Sequence, residues 1–271
     1  MKLQLEGKRA LVTGSNTGIG AGIARMLVEE GCLVFVHGRN RTRAEKVAGE
    51  IGAAGYLAAD LATDEGADAL YESSKAALGG PVEILVNNAG GATSSGSAVR
   101  EPINITIAEW LEAYQINTLA AVRMIRRIVP DMLTAKWGRI INISSSGGVM
   151  PPPRGADYNG AKAAINNLTV GLARSLKGGG ITVNTVSPGI IVTPSLGPWM
   201  RQRYVEERGW GNISDEEMYQ RVALEVHDLP VGRLGSDEDI AMVVCLLASP
   251  RCGYVTGANY RVDGGQIRSV N

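Results

Sequence analysis

Tyr158 and Lys162 stand four positions apart in a stretch, 157–177, whose composition predicts a helix. Residues at i and i+4 of a helix share a face, so the phenol and the ammonium would lie side by side. A neighbouring ammonium stabilises a phenolate and lowers the tyrosine pKa. A tyrosine tuned toward neutral pH can give a proton to a carbonyl oxygen or take one from a hydroxyl. The pair alone could be a chance feature of a helix surface. Its company argues otherwise. Asn142, Ile143, Ser144 and Ser145 end one apolar run, Asn87 to Gly90 end another, and Pro188 to Thr193 follow a third. If those runs are strands, their polar ends meet at the carboxyl edge of one sheet, where α/β proteins bind ligands.

A glycine-rich turn would join them. Thr13, Gly14, Ser15, Asn16, Thr17, Gly18, Ile19 and Gly20 follow a short apolar run and open a helical pattern. At such a junction the first glycine permits a tight turn, the second a close approach to a pyrophosphate, and the third close helix–strand packing. The helix N-terminus then offers unpaired N–H groups and partial positive charge to phosphate. An acidic residue at the end of the next strand would mark NAD, through the ribose 2′-hydroxyl, whereas a nearby arginine accommodates a 2′-phosphate. Here Val36 and His37 run into Gly38, Arg39, Asn40 and Arg41, with no acid. A guanidinium pairs bidentately with phosphate, so Arg39 points to NADP(H), with Asn40 beside it. The alternative is that Arg39 and Arg41 are solvated loop cations.

The elements that must position these residues follow a strand–helix rhythm. Apolar runs at 9–13, 32–36, 55–59, 82–86, 139–143, 181–186 and 259–262 read as strands, and 32–36 is continuous enough to be buried on both faces. Helical patterns fall at 18–30, 40–51, 65–78, 106–135, 157–177 and 237–247, the fourth with an expected break near Pro130. Alternation of this kind implies βαβ units, a parallel sheet and helices on both faces. The expected fold is α/β, a doubly wound Rossmann-type sheet of about seven strands. We expect residues 1–271 to be one dinucleotide-binding catalytic domain. Residues 194–235 interrupt the rhythm and carry Trp199, Met200, Tyr204, Trp210, Met218 and Tyr219. A long excursion after a strand end is expected to be a substrate lid, although a helical excursion with its own small core is the alternative.

Composition narrows the function classes. Lys+Arg and Asp+Glu are both 27, so the net charge is zero, and neither nucleic acid nor an anionic membrane surface is an expected partner. No apolar run approaches the roughly 20 residues of a membrane span. Glycine is 35 of 271 residues and phenylalanine occurs once, so the core must be aliphatic. Cys32, Cys245 and Cys252 make an odd, sparse set, unlike a disulfide framework, and only His37 and His227 could join them. No metal site is expected. Residues 1–8 lack the apolar stretch of a secretory leader, and a cytoplasmic protein is the expectation.

Together these motifs resemble the short-chain dehydrogenases/reductases, from about Gly7 to Gly265. The matching segments are TGSNTGIG at 13–20, NNAG at 87–90, Asn117 after Tyr114, Gln115 and Ile116, NISS at 142–145, Tyr158 with Lys162, and PGIIVT at 188–193. Ala161 departs mildly, since the family often has serine there. The resemblance implies a catalytic tetrad of Asn117, Ser145, Tyr158 and Lys162. Tyr158 would be the acid/base, Lys162 would lower its pKa and bond the nicotinamide ribose, Ser145 would polarise the substrate oxygen, and Asn117 would position a relay water. It implies cofactor contacts from Gly14, Ser15, Asn16, Thr17, Gly18, Ile19, Gly20, Arg39, Asn40, Asp60, Leu61, Asn88, Ala89, Gly90, Pro188, Gly189, Ile191 and Thr193, besides Tyr158 and Lys162. Asp60 would meet the adenine, and Ile191 and Thr193 the nicotinamide carboxamide.

The expected activity is hydride transfer between NADP(H) and a carbonyl or secondary-alcohol substrate, with NADPH favoured over NADH. The alternatives are an NAD-linked alcohol dehydrogenase, an epimerase or dehydratase of the extended family, and a nucleotide-binding regulator without turnover. A homotetramer or homodimer is implied, built on 106–135, 157–177 and the last strand, with 266–271 reaching a neighbour. Residues 91–96 are expected to border the substrate pocket.

Overall fold

A computed structural model of the chain describes residues 2–91, 100–194 and 196–270. Its strands are β1 (Arg9–Val12), β2 (Leu33–Gly38), β3 (Gly55–Ala58), β4 (Ile84–Asn87), β5 (Gly138–Ile143), β6 (Ile181–Pro188) and β7 (Asn259–Val262). They form one seven-stranded sheet in the order β3-β2-β1-β4-β5-β6-β7, with every pair parallel. The chain winds outward from β1 to β3 and then starts again on the other side with β4. The order therefore reverses between β1 and β4, and a crevice opens beyond their carboxyl ends.

The helices are α1 (Gly18–Glu29), α2 (Arg41–Ile51), α3 (Asp64–Leu78), α4 (Ile107–Tyr114), α5 (Ala120–Ala135), α6 (Ala156–Ser175), α7 (Leu196–Met200), α8 (Asp215–Arg221) and α9 (Asp237–Ala248). Alternate strand residues point to opposite faces. Ala10, Val12, Val34, Val36, Ile84 and Val86 join the layer under α1, α2 and α9. Leu11, Phe35, Leu85 and Ile140 join the layer under α3 and α5. The single phenylalanine is thus in the core, and nearly everything around it is aliphatic. Cys32 and Cys245 are buried free thiols, and burial pushes Cys32 up to about 12.

The helix expected over 106–135 is broken, but not at Pro130, which lies inside α5. The break is a π turn, Gln115–Leu119, between α4 and α5. Its cause is local. Asn117 Nδ2 donates to the carbonyl of Ala113 at 3.0 Å, the acceptor one helical turn back. A side chain entering the i→i−4 ladder widens it.

The excursion at 194–235 has a core of its own. Met200, Tyr204, Val205, Met218, Val222, Leu229 and Leu234 pack together. Trp210 stacks on Tyr204 at 6.2 Å between centroids, and Trp199 meets Tyr204 edge-on at 5.8 Å. A parallel bridge from Ile191 to Gly235 ties the excursion to the sheet edge.

Candidate active site

Beyond β1 the chain turns through Gly14 into α1. A Cβ on Gly20 would come 2.4 Å from the Gly14 carbonyl oxygen, so only glycine lets α1 start this close to the turn. Thr17, the residue before α1, makes no side-chain capping bond, and the first turn of the helix holds no acid. The helix therefore presents open N–H donors and its positive end to the crevice. Asn88 holds the turn in place. Its Nδ2 donates to the carbonyls of Thr13 at 3.0 Å and Gly14 at 2.9 Å. Thr13 Oγ1 in turn accepts from the amides of Asn88 and Ala89, both at 3.0 Å.

The crevice has a volume of about 450 Å³, and most of the expected residues line it. Gly14, Asn16, Thr17, Gly18, Ile19 and Gly20 form one wall, Arg39, Asn40, Asp60 and Leu61 one end, and Asn88, Ala89 and Gly90 the floor. Tyr158, Lys162 and Thr193 line the other end. Asn117 and Ser145 are not on the wall; Asn117 bonds to Gly91, which is, and Ser145 Oγ accepts from the Gly147 amide at 3.1 Å. Ser15, Pro188, Gly189 and Ile191 do not line the crevice. Ser15 is fully buried and its Oγ donates to the Val12 carbonyl at 2.7 Å. Gly189 continues the β6–β7 ladder through its amide, and the Ile191 side chain is buried in the core. Of the stretch 91–96, Gly91 lines the crevice and 92–96 fall outside the described residues.

At the Tyr158 end, Lys162 is buried and its Nζ donates to the Ile143 carbonyl at 2.9 Å, 5.8 Å from the centre of the Tyr158 ring. Burial without a carboxylate partner lowers the Lys162 pKa to about 8. The Tyr158 phenol is moved the other way. Burial raises it, and the hydrogen bond from Ser145 only partly opposes this. The expected depression of Tyr158 is thus absent from the free protein, and the phenol keeps its proton at neutral pH. Two bonds hold α6 in register with the tips that carry the site: Ser144 Oγ to the Lys162 carbonyl at 3.0 Å, and Thr118 Oγ1 to the Ala161 carbonyl at 2.9 Å. Ala161 is fully buried beneath that contact.

At the far end, a Cβ on Gly38 would fall 2.1 Å from Asn16 Cγ. The place of an acid at the end of β2 is therefore filled by the Asn16 side chain. Arg39 lies on the rim, and so does Arg43, whose amide donates to Asn40 Oδ1 at 2.9 Å as α2 begins. Sequence reasoning missed Arg43. The signal was its spacing, third in a helix capped by Asn40. It also passed over His37, a polar residue inside an apolar strand, which is 2% exposed and lines the crevice. Among the described residues no group of three or more His, Cys, Asp or Glu could hold a metal ion, and no helix is long and apolar enough to cross a membrane.

Known proteins resemble this chain along its whole length. The chain is 37% identical to the 3-oxoacyl-[acyl-carrier-protein] reductase FabG of Pseudomonas aeruginosa, over 98% of this chain and 100% of that protein. It is 35% identical to the uncharacterized oxidoreductase YvaG of Bacillus subtilis, over the full length of both. The L-sorbose reductase of Gluconobacter frateurii, solved with NADPH and L-sorbose, superposes over 100% of both chains with a TM-score of 0.89 at 31% identity. The family model for short chain dehydrogenase matches residues 8–203. With that match covering more than half of its length, the chain belongs to the short-chain dehydrogenase family of oxidoreductases.

Proposed function

We propose that the protein is an NADPH-dependent reductase of a ketone or similar carbonyl compound. The observation that carries the reading is the sharing of one crevice by Tyr158, Lys162 and the open N-terminus of α1. The residues fit a dinucleotide. The turn packs too tightly for a side chain at Gly14 or Gly20, which keeps its main chain bare toward the crevice, and the uncapped helix end offers a pyrophosphate donors. When bound, a nicotinamide dinucleotide supplies the hydride, and the protein supplies alignment and a proton donor. Asp60, Leu61, Asn88, Ala89 and Gly90 would hold the adenosine side, and Thr193 the nicotinamide side. Tyr158 is the proton donor to the carbonyl oxygen, in keeping with its raised pKa. The Lys162 ammonium stabilises the phenolate left behind, and Ser145 orients the phenol. Asn117 shapes the loop at Gly91.

NADPH is favoured by two features. Asn16 fills the space an acid at 38 would need, and Arg39 and Arg43 both stand at the rim. Titration with NADPH and NADH of the wild type, Arg39→Ala and Arg43→Ala tests this. We expect tighter NADPH binding, a loss of about tenfold or more in each variant, and little change for NADH. Equal affinities in the wild type would overturn the preference. That the solved L-sorbose reductase holds NADPH is consistent with this reading.

A homo-oligomer is part of the proposal. Ile107, Leu111 and Val170, on α4 and α6, are large apolar residues left exposed. A monomer by light scattering would remove that part. A cytoplasmic location rests on the free cysteines alone. We assign the whole chain to one catalytic domain, with 194–235 covering the substrate end of the crevice.

A further inference from the structure

His37 has no role in the proton transfer, yet it lies on the crevice wall at the end of β2. Its ring is bonded on both sides. The Gly14 amide donates to Nδ1 at 3.1 Å, so Nδ1 carries no proton. Nε2 lies 3.1 Å from the Ala59 carbonyl oxygen, which can only accept, so Nε2 carries the proton. One neutral tautomer satisfies both bonds. An imidazolium would set N–H against N–H at Gly14. The main chain adds two more links: the His37 amide donates to Ser15 Oγ at 3.0 Å, and its carbonyl accepts from the Ser15 amide at 2.7 Å.

These bonds join three separate tips of the sheet. Gly14 belongs to the phosphate turn after β1, His37 to the end of β2, and Ala59 to the loop after β3 that continues into Asp60 and Leu61. Without the ring, the Gly14 amide and the Ala59 carbonyl would each lose a partner, and only bonds made by the main chain, between Ser15 and His37 and from the Ala59 amide to the Gly38 carbonyl, would still link the three tips. We infer that His37 is a positioning residue for the dinucleotide, holding the phosphate turn at a fixed distance from the adenosine loop and so setting cofactor affinity without touching the reacting atoms. This rests on the dinucleotide reading of the crevice. It assigns to the imidazole the side-chain link across the adenosine half of the site, while α6 and the tip of β5 govern the proton-transfer half.

The test compares the wild type, His37→Leu and His37→Asn in fluorescence titrations with NADPH and in turnover at saturating cofactor. Leucine fills the volume and removes both bonds. Asparagine can place a carbonyl oxygen near Nδ1 and restore the acceptor for Gly14. We expect His37→Leu to weaken NADPH binding about tenfold. His37→Asn should recover most of that loss, and kcat at saturation should fall far less than affinity in both. A merely structural side chain would lower thermal stability in both variants without this ordering of affinities. Should His37→Leu fail to fold, the ring itself remains readable. The chain has two histidines, so imidazole nitrogen NMR of the wild type against His37→Asn assigns the His37 signals. A proton on Nε2 alone supports the inference, and one on Nδ1 overturns it, as does unchanged affinity in a folded His37→Leu. A wild type that binds neither NADPH nor NADH would instead sink the dinucleotide reading, and this inference with it.

Discussion

Asn117 holds Gly91 through both of its main-chain groups: its Oδ1 accepts from the Gly91 amide at 2.9 Å, and its Nδ2 donates to the Gly91 carbonyl at 3.0 Å. The second Nδ2 hydrogen goes to Ala113. Both donors are thus taken by backbone, in a residue only 2% exposed. A relay water could reach Asn117 only through its remaining oxygen lone pair or its main chain. Asn117→Leu keeps the volume and leaves the buried Ala113 carbonyl and the two partly buried main-chain groups of Gly91 without these partners. We expect a loss of about 2–4 kcal/mol in urea unfolding, since each unmet buried group costs about 1–3 kcal/mol. A loss below about 1 kcal/mol would mean that the π turn re-forms as ordinary helix and that the side chain does not hold it.

Tyr158→Phe removes one oxygen from the crevice and leaves the ring. If Tyr158 donates the proton, NADPH-dependent reduction of a ketone found by screening should fall by about 10²–10⁴-fold. The affinity for NADPH should stay within about twofold, because the glycine turn and Arg39 are untouched. Turnover retained in the variant would assign the proton to another group.

The pH profile separates Lys162 from Tyr158. The Lys162 ammonium is lost as pH rises through about 8, whereas the Tyr158 phenol, raised by burial, still holds its proton there. The profile of kcat/KM follows groups of the free enzyme. In the reductive direction it should be level below about pH 8 and fall above it. The fall should be absent from the residual activity of Lys162→Met. A level profile through pH 9 in the wild type would remove the ammonium from the mechanism.

The sheet was legible because buried parallel strands write themselves as unbroken apolar runs, and Val34, Phe35 and Val36 are all buried. The pairing proposed for proton transfer was legible for another reason: helical spacing alone brings Tyr158 and Lys162 to one face. What could not be read depends on hydrogen bonds between segments distant in the chain. The break at Asn117 follows from a side chain meeting the carbonyl of Ala113, and no propensity reports that; the proline at 130 looked the better breaker and proved compatible with α5. The direction of the Tyr158 shift depends on burial against charge, and spacing reveals only the charge. The aromatic residues of 194–235 suggested a substrate lid, and Tyr204 and Trp210 stack on each other within a core private to that excursion, the alternative the sequence also allowed.

His37 also links acid to stability. Burial lowers its pKa from 6.5 to about 4; Asp60 after β3 favours the cation and Arg39 after β2 opposes it, and burial outweighs Asp60. Above pH 6.5 neither the folded nor the unfolded chain protonates this ring, so it adds no pH dependence. Below that, the unfolded chain takes up a proton that the folded chain refuses, and stability falls until pH reaches about 4. Between pH 7.5 and 5 this group should cost about 2 kcal/mol. His227, also lowered by burial, adds its own fall, as do any carboxylates. The quantity to compare is therefore the difference between wild type and His37→Asn, from urea unfolding at the two pH values. The wild type should lose about 2 kcal/mol more than the variant over that interval. Parallel losses would mean that the ring is already protonated in the folded state, and the bond from the Gly14 amide to Nδ1 could not then exist.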